Sequence, residues 1–196
     1  MKCIELSIKE LEEQCNKWVS DISNDYKPEL IVFVAKAGYI IGKTFAEYYD
    51  VDLIGIAAER NGGGIKSSLG KIMKHIPNFV RNLAIYIELR SGIHNKKSER
   101  NVAWIDSPDS YLGNVKNILI VDDSVDTGHS IYLVKKKVEE TFGDGVDVKV
   151  AGLNVWDKSE RCITTDFFMH RNTIILAPMS KDSKYYEQFV KMYNER

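Results

Sequence analysis

The first clear period along the chain is helical. Ile8, Leu11, Cys15, Trp18, Val19 and Ile22 recur at steps of three and four, behind a Ser7–Glu10 pair spaced as a capping box. The spacing predicts an amphipathic helix that ends before Pro28. Residues 30–34 (Leu-Ile-Val-Phe-Val) form a short apolar run rich in β-formers and read as a strand. Gly38 interrupts that pattern, and residues 39–49 resume as a helix with Phe45 and Tyr48 facing inward. Residues 51–58 read as a further strand. Helix, strand, loop, helix, strand is the rhythm of a parallel α/β sheet.

Residues 59–115 break this rhythm. Asn61-Gly62-Gly63-Gly64 marks a flexible break, and residues 69–75 and 79–90 read as short helices around Pro77. Arg90, His94, Lys96, Lys97 and Arg100 make a basic tract, residues 101–105 read as a strand, and Pro108-Asp109 as a turn. A connection of this length exceeds a simple βα loop and reads as a functional flap or an oligomer contact. The apolar stretch 79–86 suits burial against the core or a second subunit better than a membrane surface.

Order returns at Lys116. Residues 118–121 (Ile-Leu-Ile-Val) read as a buried strand. A helix follows at about 130–142, with Ile131, Val134, Val138 and Phe142 on one face and Gly143 closing it. Residues 146–155 read as a strand, and Phe167-Phe168 with residues 174–176 as a late pair of short strands. Tyr185, Tyr186, Phe189, Val190 and Tyr193 predict a closing helix.

Composition adds mostly exclusions. A chain of 196 residues, 44% hydrophobic and 28% charged, suits one well-formed core. A net charge of −1 supplies no global field for nucleic acid. Cys3, Cys15 and Cys162 are odd in number and lack metal-like pairing, which suits a reducing compartment. No run approaches the ~20 apolar residues of a membrane span, and no apolar signal core follows Met1. The expectation is a cytoplasmic protein without nucleic-acid or membrane partners.

The chemistry concentrates in residues 118–130. Four apolar residues run into Asp122-Asp123-Ser124-Val125-Asp126-Thr127-Gly128-His129-Ser130 and then a helix. The strand sets two carboxylates at its C-terminal edge, where open α/β sheets bind ligands. The hydroxyl-rich loop opens into a helix N-terminus, whose unpaired N–H groups and positive dipole end suit a phosphate. Acids for ribose hydroxyls or a hydrated metal, beside a phosphate cradle, describe a sugar-phosphate site.

This run resembles the phosphoribosyl pyrophosphate motif of the type I phosphoribosyltransferases, with Ser130 in the final hydroxyl position. The resemblance implies that Asp122 and Asp123 hold the ribose hydroxyls, and Mg²⁺ through water. It implies that Asp126, Thr127, Gly128, His129 and Ser130 bind the 5′-phosphate, and that Asp126 accepts a proton from the incoming base. Val34-Ala35-Lys36-Ala37-Gly38 falls where the family carries a pyrophosphate loop, so Ala35, Lys36, Ala37 and Gly38 take that role, with a non-proline cis peptide at Ala35-Lys36.

The implied fold is α/β: a parallel sheet flanked by helices, in one domain over residues 1–196. Residues 59–115 are then a flap insertion, and residues 156–196 a small C-terminal hood with its helix. Arg60, Arg90, Lys96, Lys97 and Arg100 of the flap are basic enough to face a departing pyrophosphate. The base pocket falls on Lys158, Ile174 and Asp182. Ile174 stands where the family has a stacking aromatic, which leaves Trp156 or Phe168 to cover the ring.

The implied reaction displaces pyrophosphate from ribose C1 by a nitrogen acceptor. Asp126 and Lys158 favour a 6-oxopurine; a non-purine acceptor and a nucleotide-sensing regulator on the same fold stay open. The implied partners are phosphoribosyl pyrophosphate, Mg²⁺ and a small-molecule acceptor, in a homodimer or higher homo-oligomer.

Overall fold

The computed structural model of the protein describes residues 3–60 and 100–196. The chain divides into two compact units, Met1–Ala58 with Val102–Arg196, and Glu59–Asn101. The helices expected at 69–75 and 79–90, the glycine break and the basic side chains of the flap lie outside the described residues.

The first helix, α1 (Ile8–Ile22), buries Ile8, Leu11, Cys15, Trp18, Val19 and Ile22, the six positions its period marks. Both arms of its capping box are present: Ser7 Oγ accepts from the Glu10 amide, and the Glu10 carboxylate accepts from the Ser7 amide at 2.8 Å. Burial pushes the Cys15 thiol up to about 12, so it stays a protonated core side chain.

Strand β2 (Leu30–Val34) is buried at all five positions, and alternate residues serve different cores. Ile31 and Phe33 pack with α1, α2 (Tyr39–Tyr49) and the C-terminal helix α4 (Tyr186–Asn194). Leu30, Val32 and Val34 pack on the other face with α3 (His129–Phe142). Strand β5 (Asn117–Val125) divides in the same way, Leu119 and Val121 to one face and Ile118 and Ile120 to the other. Burial on both faces removes the polar half of the strand pattern, which is why these runs are apolar throughout.

Beside these lie β3 (Asp52–Arg60), β4 (Arg100–Trp104), β6 (Asp147–Val155) and β7 (Phe167–Arg171), giving a six-stranded sheet in the order β4-β3-β2-β5-β6-β7. The β2–β3, β2–β5, β5–β6 and β6–β7 pairings are all parallel. This is the expected sheet flanked by helices.

Three local expectations change. Tyr48 is exposed rather than inward; the buried stripe of α2 passes from Phe45 to Tyr49, whose hydroxyl donates to the Tyr26 carbonyl at 3.2 Å. Strand β5 runs to Val125 because β6 offers a partner all the way to Val155, so Asp122 and Asp123 lie within a strand, not behind one. The two late strands do not pair with each other. β7 extends the main sheet, while β8 (Ile174–Leu176) pairs in parallel with β1 (Cys3–Glu5), a strand too short to announce itself by alternation.

Candidate active site

The sheet reverses its order between β2 and β5. From β2 the chain steps outward to β3, then returns on the other side of β2 as β5 and continues outward to β6 and β7. Loops leaving the C-terminal ends of two such parallel strands diverge, and the crevice between them is where open α/β sheets take ligands.

The loop after β2 carries a cis peptide at Ala35-Lys36, the position the family pattern implied. It closes with the Gly38 amide donating to the Val34 carbonyl at 2.9 Å. A Cβ on Gly38 would stand 2.4 Å from the Val121 carbonyl oxygen, one residue before Asp122. Glycine is therefore what lets this loop lie against β5 and brings it beside the carboxylates.

The loop after β5 turns at Gly128, whose φ of 74° lies in the left-handed region. A Cβ there would come within 2.9 Å of the Ser159 carbonyl and the Ile163 side chain, so the loop is seated under the short helical turn Asp157–Arg161.

Both loops feed helices whose N-termini lack side-chain caps. Gly38 is the N-cap of α2 and Gly128 that of α3, and neither first turn carries an acidic residue. Helix α1 is the opposite, with a full capping box and Glu10 in its first turn. Neither the α2 nor the α3 end has its dipole charge offset by a side chain, although the first α2 amide, that of Tyr39, already meets the Lys36 carbonyl at 3.2 Å.

Between them stand the acids. Asp122 is buried, with 7% of its surface exposed, and its carboxylate accepts from the Asp123 amide at 2.9 Å. Burial first, and the neighbouring Asp123 charge second, push its carboxyl well above the usual range. Asp123 is raised as well, chiefly by burial. A pair held this way gains from hydroxyl donors or a cation that would relieve its charge. Asp126 is exposed, and Ser124 Oγ donates to its carboxylate at 3.1 Å. Thr127 and His129 are exposed and Ser130 half-buried at the start of α3.

A cavity of about 190 Å³ opens beside the acids. Asp123, Ser124, Asp126 and Thr173 supply its polar rim, and Leu153, Trp156, Ile174, Ile175 and Ala177 its apolar wall. Asn154 also lines it but is spoken for: its amide donates to the Thr173 carbonyl at 2.8 Å and accepts from the Thr173 amide at 3.2 Å. This clamp holds the segment entering β8 against the end of β6.

The structure therefore gathers Asp123, Asp126 and Ile174 around one cavity, with Asp122 beside Asp123. Lys158 and Asp182 are not among the cavity's lining residues. The Lys158 ammonium lies 5.7 Å from the centre of the Trp156 ring, and Asp182 sits exposed in a turn where its amide meets Ser180 Oγ at 3.4 Å. Phe168 is exposed, with the Arg171 guanidinium 4.6 Å from its ring centre, so Trp156 is the aromatic at the cavity. Ser124, Leu153, Asn154, Thr173, Ile175 and Ala177 were not marked by the sequence pattern. Only the end of β6 offered a cue, since parallel strands deliver their C-terminal residues to the same edge.

The family model of the phosphoribosyl transferase domain matches residues 6–141. The chain belongs to the phosphoribosyltransferase family, and it is an enzyme of that class. Solved structures agree on the fold. A Helicobacter pylori xanthine-guanine-hypoxanthine phosphoribosyltransferase is 15% identical, with 99% of each chain covered and a TM-score of 0.63. A Pyrococcus horikoshii purine phosphoribosyltransferase is 17% identical over 92% of this chain and 95% of its own, TM-score 0.60. A Neisseria gonorrhoeae protein with bound ppGpp is 12% identical over 99% and 97%, TM-score 0.58. No curated protein sequence matches the chain significantly. Among the described residues, no helix is long and apolar enough to cross a membrane.

Proposed function

We propose that the enzyme transfers a phosphoribosyl group from phosphoribosyl pyrophosphate to a 6-oxopurine base. One observation carries this reading: two uncapped, glycine-started helices flank a buried acid pair at the switch point of the sheet. Two anionic groups with a polyol between them would fit that arrangement. The pyrophosphate would lie on residues 35–38 and the α2 end. The 5′-phosphate would take the amides of residues 126–130 and the Thr127 and Ser130 hydroxyls, with the ribose hydroxyls on Asp122 and Asp123.

No cluster of three metal-ligating side chains occurs among the described residues. Mg²⁺ is commonly held by one or two carboxylates, waters and substrate phosphates, and the oxygen-only pair Asp122 and Asp123 suits that mode. When bound there, the ion would neutralise charge on the pyrophosphate.

The protein's own work is then positioning and electrostatics. The acceptor nitrogen forms a bond to ribose C1 as the bond from C1 to the pyrophosphate oxygen breaks, through an oxocarbenium-like state. The nitrogen's proton passes to the Asp126 carboxylate at the cavity rim, and the amides at the α2 end receive the departing negative charge. Trp156 would cover the base. Lys158 would reach its 6-oxo group by turning away from the Trp156 ring. A reaction of this kind, in a chain whose Cys15 and Cys162 are free, suits the cytoplasm.

A pyrophosphate-release assay with Mg²⁺ and phosphoribosyl pyrophosphate tests the reading against hypoxanthine, guanine, xanthine and adenine. Turnover with the three oxopurines supports it. Adenine alone would reverse the base assignment. Binding of phosphoribosyl pyrophosphate without turnover of any base would favour a non-purine acceptor.

A further inference from the structure

Lys36 is the one basic residue of the loop after β2, and its ammonium is not left to solvent alone. It lies 5.3 Å from the centre of the Tyr193 ring, contributed by α4 from the far end of the chain. Tyr193 is in turn over-determined. Its ring meets Tyr39 edge-on at 5.2 Å and Phe33 at 6.4 Å, and Phe189 packs at 6.0 Å. The Arg196 guanidinium lies 5.1 Å from the Tyr193 ring centre and 5.4 Å from that of Phe33. Arg196 is pinned by both Asp106 carboxylate oxygens, at 3.1 and 3.0 Å, and Asp106 is pinned by the Gly55 amide of β3 at 2.7 Å.

We infer that α4 is a positioning element for the pyrophosphate loop: the Tyr193 ring seats the Lys36 side chain, and the Arg196–Asp106–Gly55 chain holds that ring against the sheet. A free lysine carries about 2 kcal/mol of rotamer entropy, part of which is lost when it meets an anion. Seating the stem and ammonium on an aromatic face in advance reduces that loss, as pre-organisation does generally. The inference rests on the proposed assignment of residues 35–38 to pyrophosphate. It predicts that a residue in the C-terminal helix, with no place in the phosphoribosyl motif, tunes one half of the substrate and not the other.

The test separates those halves. Magnesium pyrophosphate and ribose 5-phosphate are titrated calorimetrically into the full chain and its variants. Tyr193→Leu should weaken pyrophosphate binding about two- to fivefold, the weight of one exposed cation–π contact, and leave ribose 5-phosphate unchanged. Tyr193→Phe, which keeps the ring, should retain wild-type affinity for both. Arg196→Met, which keeps an apolar stem without opening the core, guards against misfolding of the Leu variant and should give a smaller loss in the same sense. Unchanged or tighter pyrophosphate binding in Tyr193→Leu overturns the inference, as does an equal loss for both probes, which would make α4 a plain scaffold. A wild-type chain that binds neither probe removes the site assignment itself.

Discussion

The two sides of the crevice, proposed for phosphate and for the acceptor, are built by different rules. On the proposed phosphate side, the geometry is set by the backbone: two loops of three or four residues, two glycine starts and two helix ends without side-chain caps. On the acceptor side, the wall is assembled from the end of β6, the segment before β8 and β8 itself, held by the Asn154–Thr173 clamp and by pairing with β1. Glycine and local geometry shape the first, with Tyr193 of α4 seating Lys36 from a distance; segments far apart in the chain build the second. A phosphate site of this kind tolerates little change, while an acceptor wall can be altered one side chain at a time.

The largest expected effect tests the acid pair at the centre. Asp122→Asn or Asp123→Asn should lower kcat/KM by about 10²–10³, the range for removing one pre-organised group beside developing charge. Stability should move the other way. The Asp122 carboxyl is raised in the folded chain, so its contribution is fully present below the ordinary carboxylate pKa and lost as pH rises through the folded value. Ligand-free Asp122→Asn should therefore melt above the wild type at pH 7, with the gap closing towards pH 4. A gap independent of pH would show that the carboxyl is not ionising under strain.

Gly38→Ala comes next. The new methyl group would press on the Val121 carbonyl at 2.4 Å, so the loop must shift. A displacement of order 1 Å costs roughly 10² in rate. Titration should show pyrophosphate binding lost and ribose 5-phosphate binding kept; loss of both would erase the distinction between the two helix ends.

Two substitutions probe the acceptor side. Trp156→Ala should weaken the base by about five- to a hundredfold, the range for one stacked ring, with the KM for phosphoribosyl pyrophosphate unchanged. If that KM rises in step, the two sides are not separable. The smallest effect is at Lys158. Lys158→Ala should cost about fivefold with 6-oxopurines, the weight of one hydrogen bond, and nothing with adenine. Equal losses with both bases would confine Lys158 to the Trp156 ring, where its ammonium now rests.

The same division explains what could be read from the sequence. The period of α1, its capping box, the buried runs of β2 and β5 and the Asp122–Ser130 motif follow from neighbours in the chain, while the cis peptide at Ala35-Lys36 was implied by the family resemblance alone. Asn154 gives no sign of its role in the sequence, because its partner is the backbone of Thr173. Asp106 gave no signal, because its meaning lies in Gly55 and Arg196. Strand β1 was invisible for the same reason. Three residues have no period, and what makes them a strand is β8.

That pairing has a consequence for how the protein folds. Ile174 and Ile175 of the cavity wall are registered against Cys3 and Ile4, about 170 residues earlier in the chain. Parallel contacts that span so much chain carry a large closure entropy and form slowly. The loop after β2, by contrast, is closed within itself by the Gly38 amide donating to the Val34 carbonyl. On refolding, the wall beside Ile174 and Ile175 should therefore be among the last parts of the cavity to order.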